Sequence, residues 1–260
     1  LLAIQEREYG RDHPEVAKTL MKLGLAYGRS GDQAKTRDLM ERALPIYEQI
    51  KDFGNVAITL MNLGSIHLQL GDPAKARDTL ERALPICERA YGRDHPNVAN
   101  LLQNIGNAYI FLGDHAKVRD VLERALTIYE REHDSPQVAL TLGNLGIAYG
   151  KLGDHVKARE VLVRALAINE QAHGPDHPST KRTKENLANV QTDLEFPLRA
   201  AAKRGDVDAM TQLLDEGAKV NVTIQNGQTP LYIACEQGQI DAARLLLDKG
   251  AEIDRANEQG

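Results

Sequence analysis

Apolar residues in this chain recur at helical spacing and, on a longer scale, every 40 to 42 residues. Val16, Leu20, Leu23 and Tyr27 step by four, three and four positions, which places them on one face of a helix. After Gly31 a second stripe, Thr36, Met40, Ala43, Leu44 and Tyr47, has the same kind of spacing. It returns in a later copy as Val118, Leu122, Ala125, Leu126 and Tyr129. The punctuation keeps step: Gly31-Asp32 recurs as Gly71-Asp72, Gly113-Asp114 and Gly153-Asp154. Leu23-Gly24 returns at Leu63, Ile105 and Leu145, each followed by glycine. Glu41-Arg42-Ala43-Leu44 returns at Glu81 and Glu123 and, in the fourth copy, as Val163-Arg164-Ala165-Leu166. Glycine takes the left-handed conformation that ends one helix, and aspartate caps the free N–H groups that start the next. Each copy therefore reads as an antiparallel helical hairpin.

The joints between copies alternate. Gly10-Arg11-Asp12-His13-Pro14, Gly92-Arg93-Asp94-His95-Pro96 and Gly174-Pro175-Asp176-His177-Pro178 stand 82 residues apart, with shorter joints near Phe53-Gly54-Asn55 and Asp134-Ser135-Pro136. In Asp12-His13-Pro14-Glu15 the aspartate is the expected N-cap, with Glu15 as its capping-box partner. Pro45 and Pro85 fall inside second helices, where proline costs ~3 kcal/mol, so kinks are expected there.

Beyond Leu194 the period changes to 33 residues: Gly205 maps to Gly238, Leu213-Leu214 to Leu246-Leu247, and Gly217-Ala218 to Gly250-Ala251. Asn226-Gly227-Gln228-Thr229-Pro230-Leu231 reads as a hairpin-to-helix entry, and Phe196-Pro197-Leu198-Arg199-Ala200 opens the first copy without its threonine. Glu258-Gln259-Gly260 matches Gln225-Asn226-Gly227 by position, and Leu1 to Glu8 reads as the end of a second helix. Such repeats need neighbours to bury their faces, so the chain is expected to be an excerpt of a longer array. The connection from Val190 to Phe196 has no Gly or Ser run, which argues for a docked junction rather than a tether.

Residues 1–192 resemble tetratricopeptide repeats of the kinesin-light-chain type. The likeness rests on Gly24, Gly64, Gly106 and Gly146, on Tyr27, Tyr109 and Tyr149, on Ala43, Ala83, Ala125 and Ala165, and on the Gly-x-Asp-His-Pro joints. His67 replaces the tyrosine in the second copy, and Thr36 and Val118 stand where that family favours alanine. Residues 193–260 are similar to ankyrin repeats. The expected fold is all-α, a right-handed α-α superhelical solenoid continuing into ankyrin repeats. Its hairpins are expected at about 14–50, 55–90, 96–132 and 136–172, with partial helices at 1–9 and 177–192. The ankyrin copies are expected at about 196–225 and 226–257, followed by a truncated third.

Composition adds exclusions. With 260 residues, 42% hydrophobic, 27% charged, three Phe and no Trp, the chain suits helices packed through small residues. A net charge of -5 argues against a nucleic-acid partner and slightly favours a basic one. No apolar run approaches the ~20 residues that span a bilayer, and the opening residues lack a basic n-region, so a cytoplasmic protein without membrane contact is expected. Cys87 and Cys235 show no metal spacing and read as reduced packing residues. The sequon Asn221-Val222-Thr223 is a pattern common by chance. His13, His95 and His177 recur every two hairpins, roughly 20 Å or more apart, too far to share a metal, and read as turn residues. Gly143-Asn144-Leu145-Gly146 lies within a helix and cannot cradle phosphate, and no nucleotide, hydrolase or zinc-protease motif occurs. No catalytic role, cofactor or metal is expected.

The candidate site is a column of polar residues. Lys22, Asn62, Asn104, Asn144 and Asn186 each stand immediately before the Leu-Gly position or its equivalent. An asparagine amide donates and accepts at once, so spaced amides can pair with the backbone of an extended peptide. The kinesin-light-chain resemblance implies the same, since its first helices line the concave groove and carry Asn in this column. The plainer reading is that each amide bonds water or a neighbouring helix. Asn100, Gln103, Asn107, Ile110 and Phe111 are expected to face the same groove. Gly28 and Gly150 match Leu68 and Ile110, leaving either room for a ligand or close helix packing. Met21 and Gln103 stand where a carboxylate clamp would need cations, so chaperone C-termini are not expected ligands. The function this implies is a scaffold or adaptor, with a peptide or short helix in the groove and a second protein on the ankyrin surface. The alternatives are a regulatory arm of a larger signalling enzyme or ATPase, and an effector of an intracellular bacterium. The partner's identity and the oligomeric state stay open.

Overall fold

The helical punctuation read from the sequence determines where the chain turns. The computed structural model describes residues 1–132, 135–223 and 228–253, so Asp134, Gln225, Asn226, Gly227 and Glu258 to Gly260 lie outside the described residues. Among those described there are thirteen α-helices and no strand. They are α1 (Leu2–Tyr9), α2 (Pro14–Arg29), α3 (Gln33–Gln49), α4 (Phe53–Gln69), α5 (Pro73–Tyr91), α6 (Pro96–Leu112), α7 (His115–Tyr129) and α8 (Pro136–Lys151). They continue as α9 (His155–His173), α10 (Pro178–Arg204), α11 (Val207–Asp215), α12 (Pro230–Glu236) and α13 (Ile240–Asp248). The chain forms two compact units, Leu1–Ala148 and Tyr149–Gly260.

Within each hairpin the turn works as the Gly-Asp pair implies. Gly31, Gly71, Gly113 and Gly153 have φ between 74° and 85°. The following aspartates, Asp32, Asp72, Asp114 and Asp154, accept from the backbone N–H three residues on at 2.9 to 3.1 Å. That bond, followed by the Lys35 ammonium, holds the Asp32 carboxyl below its ordinary range.

The long joints are capped differently from expectation. The cap of α2 is His13, whose Nδ1 accepts from the Glu15 N–H at 3.2 Å; Asp12 is not the N-cap. Glu15 therefore sits at the second helical position, one short of the capping-box place. His95 and His177 cap α6 and α10 in the same way, at 3.1 and 3.3 Å. Each imidazole is held by a ring from the preceding helix: Tyr9, Tyr91 and His173 stack on it with centroids 4.8, 5.0 and 4.5 Å apart. Proline as the first helical residue fixes the preceding histidine in an extended backbone, and the stacked ring then aims its Nδ1 at the helix start. At the short joint Asp52 caps α4 from a chain that turns through Lys51, in the left-handed region at φ 57° without a glycine.

The hairpins close on small residues. A Cβ at Gly64 would lie 2.3 Å from Leu80 Cγ, and one at Gly106 would lie 2.6 Å from Leu122 Cδ2. The Leu-Gly pair is thus a seat for a leucine of the following helix. Leu20, Leu60, Leu102, Leu80 and Leu122 are all essentially buried. Helices α3 and α5 run unbroken through Pro45 and Pro85.

In the second unit α10 is one helix of 27 residues, continuous across Val190 to Phe196 and through Pro197. Leu198, Ala201 and Ala202 on its final turns share a core with Met210, Leu231, Ala234, Ala242 and Leu246. Thr229 caps α12 through the Tyr232 N–H at 3.1 Å. Asn221, the sequon residue, is engaged structurally: its amide accepts from the Glu252 N–H at 2.9 Å and donates to the Gly250 carbonyl at 3.3 Å. It ties together two turns spaced by the 33-residue period.

Candidate peptide-binding face

The column residues follow from the hairpin register. Lys22 on α2 is exposed, and Asn62 on α4, Asn104 on α6 and Asn144 on α8 are half-buried. These four belong to the first unit; Asn186, also half-buried, lies on α10 in the second. The structure brings Asn144 and Asn107 together, with Asn144 Nδ2 donating to Asn107 Oδ1 at 3.4 Å. Asn62 and Asn104 make no hydrogen bond with another described residue. Their amides carry free donors and acceptors on a partly shielded surface, where such groups favour a polar ligand. Phe111, near the end of α6, is 69% exposed, and Ile110 is half-buried.

Two candidates are tied into the scaffold. Asn100 Oδ1 of the side-chain amide accepts the Tyr129 hydroxyl at 2.7 Å, and burial pushes that phenol up to about 12. Gln103 is only 7% exposed, and its Oε1 accepts from the Thr141 hydroxyl at 2.9 Å. Met21 occupies the same register in the first copy, and its sulfur takes the Thr59 hydroxyl at 3.4 Å. Position 103 therefore belongs to the contact between successive first helices. Gln103 Nε2 is nevertheless buried and has no partner among the described residues. Tyr129 and Thr141 are the residues missed at the sequence level. The signal that could have found Thr141 is the shared register of Met21 and Gln103.

The glycines with two readings side with packing. A Cβ at Gly28 would meet Thr36 Oγ1 at 3.5 Å, and one at Gly150 would meet Val190 Cγ2 at 3.6 Å, so both face a neighbouring helix. Nearby, Tyr109 donates to the Glu81 carboxylate; burial first, then this bond, pushes the phenol up to about 12. His67 is buried, and desolvation lowers its pKa. Among the described residues no three His, Cys, Asp or Glu side chains are grouped to hold a metal ion. No helix among them is long and apolar enough to cross a membrane. What this face offers is amides, an exposed ring and aliphatic edges, which bind rather than react.

A repeated helical hairpin carrying such a face defines a protein-interaction scaffold. Tetratricopeptide-repeat profiles match residues 1–49, 55–131 and 138–179, and an ankyrin-repeat profile of three copies matches residues 159–257. The chain belongs to the tetratricopeptide-repeat family and carries ankyrin repeats after them. The two matches overlap within α9 and the start of α10. Proteins built from these repeats are typically non-catalytic. No curated protein matches the sequence. Among solved structures, a Podosopora anserina protein with nearly identical kinesin-light-chain TPR-like repeats is 19% identical, with a TM-score of 0.59 over 78% of this chain and 94% of its own. BtubC from P. vanneervenii is 21% identical, with a TM-score of 0.61 over 82% of each chain. A Rap protein complexed with competence and sporulation factor is 18% identical, with a TM-score of 0.55 over 95% of this chain and 68% of its own. These likenesses establish the fold as that of tetratricopeptide solenoids.

Proposed function

We propose that the first unit binds an extended peptide along the groove faced by Asn62, Asn104, Asn107 and Asn144, as an adaptor does. The observation that carries this reading is the free amide pair: Asn62 and Asn104 recur in register and bond no other described residue. Phe111 supplies an apolar anchor beside them, and Asn100 and Gln103 hold the face in place through Tyr129 and Thr141. Lys22 extends the column within this unit, and Asn186 holds the same register in the second unit. A similarly folded Rap protein was solved with competence and sporulation factor bound, which supports a ligand-binding use of this fold. We place the change from tetratricopeptide to ankyrin register at residues 192–193, within α10, and assign a second protein partner to the ankyrin repeats.

The test is a peptide-display selection against the chain, counter-screened with Asn104→Ala/Asn144→Ala after circular dichroism confirms that this variant is folded. Each amide deletion removes bonds worth about 0.5–1.5 kcal/mol, so enriched peptides should bind the double variant about tenfold more weakly. Equal affinity for both proteins would remove the groove assignment.

A further inference from the structure

The fourth hairpin breaks its own repeat pattern at positions that converge in space. In the first three copies an arginine, Arg37, Arg77 or Arg119, is bonded through Nε and Nη2 to the aspartate that follows it. In the fourth copy the pair is Arg159-Glu160, and Arg159 bonds no carboxylate among the described residues. Four residues on, the other copies carry Glu41, Glu81 and Glu123, whereas the fourth carries Val163, 50% exposed. In the second copy that glutamate accepts the hydroxyl of Tyr109. On α10, the helix that follows the fourth hairpin, the residue matching Tyr109 is Gln191, whose Nε2 is buried and has no partner among the described residues. The residue matching the core leucines Leu20, Leu60 and Leu102 is Lys184, bonded to Glu170 at 2.8 Å.

Arg159, Val163, Lys184 and Gln191 line a single cleft of about 540 Å³ in the second unit, together with Lys219. Its floor is Leu187 and Ala188, the positions that in earlier copies seat a leucine of the following helix. There α10 does not turn back; it runs on to Arg204, so that seat is left uncovered. The cleft therefore combines an apolar helix seat with Arg159, Lys184 and Lys219, and the one acid that the repeat pattern would place in it has become valine. Neither Arg159 nor Lys219 has an acidic partner among the described residues.

We infer that this cleft docks an acidic amphipathic helix of a partner protein, with an aliphatic side chain set against Leu187 and Ala188 and carboxylates on Arg159 and Lys219. The inference is independent of the asparagine groove. Although the chain as a whole is acidic, at -5, the local charge at this cleft is positive, and charge complementarity selects the partner. An apolar seat edged with convergent polar groups is the usual form of a helix-in-groove site.

The probe is a labelled peptide of about five helical turns with Leu on one face and Glu on the other, titrated against the full chain beside its Lys-for-Glu counterpart. The Glu peptide is expected to bind saturably, and the Lys peptide at least about tenfold more weakly. Arg159→Glu and Lys219→Glu should each cost about tenfold or more. Val163→Glu, an exposed site restoring the residue of the other copies, should weaken binding without altering the circular dichroism spectrum. Asn104→Ala/Asn144→Ala should bind the Glu peptide as the parent does. Equal binding of the two peptides, indifference to the charge reversals, loss in the asparagine variant, or full displacement by inorganic phosphate would each overturn the inference.

Discussion

Gly106 shows how much one hydrogen atom decides in this architecture. Its absent side chain is the space that Leu122 occupies, and an added methyl would stand 2.6 Å from Leu122 Cδ2. Overpacking of this kind costs about 1–3 kcal/mol. Gly106→Ala should lower the midpoint of denaturant unfolding accordingly, whereas Gly143→Ala, with nothing within 4 Å of the new carbon, should not destabilise. The contrast is readable in the sequence, because Gly106 repeats with the hairpin period and Gly143 does not. The cap at His13 is less readable. Aspartate is the commoner capping residue, and only the stacked Tyr9 ring reveals that the imidazole is held in position to accept instead. Gln103 was misleading for a related reason: polarity marked it for the groove, while its register with Met21 placed it between helices.

At the level of the helix, proline is tolerated because its neighbours are well packed. Pro45 lies in α3 between Ala43 and Ile46, both buried, and the helix continues to Gln49. Tertiary burial outweighs the lost hydrogen bond, which local rules alone would count as a break. Pro45→Ala should therefore stabilise the protein, by up to about 3 kcal/mol, seen as a raised thermal midpoint at unchanged helical content. Helix ends were legible where Gly-Asp and His-Pro punctuate them. The course of α10 was legible only in part: the lack of glycine or serine from 190 to 196 argues against a tether, and no local signal says that the helix itself bridges the two periods.

Across the whole molecule, the groups with raised pKa values make stability depend on alkaline pH. Burial holds Tyr109 and Tyr129 at about 12 and Cys87 at about 11. In the unfolded chain these groups ionise near 10 and 8.5. Below those values both states keep their protons and the full contribution is present. As pH climbs toward 12 the unfolded chain loses protons first, so the folded state is progressively disfavoured. The thermal midpoint should fall steadily above about pH 9, and less steeply in Tyr129→Phe, as followed by circular dichroism. A second consequence for the chain as a whole comes from α10. A loop between two domains absorbs insertions, but a shared helix is a ruler with a phase. Adding one residue near Val190 rotates everything after it by about 100°, and adding seven returns it to within about 20° of its original direction. Leu198 and its core partners all follow the insertion, so a one-residue insertion should leave that core folded but turn it about 100° away from the helical face that Arg159 shares with Lys219. A seven-residue insertion should nearly restore its direction, and binding of the Glu peptide by each variant reads the difference. Where a tethered module could drift in length over evolution, this one is constrained to change by whole turns.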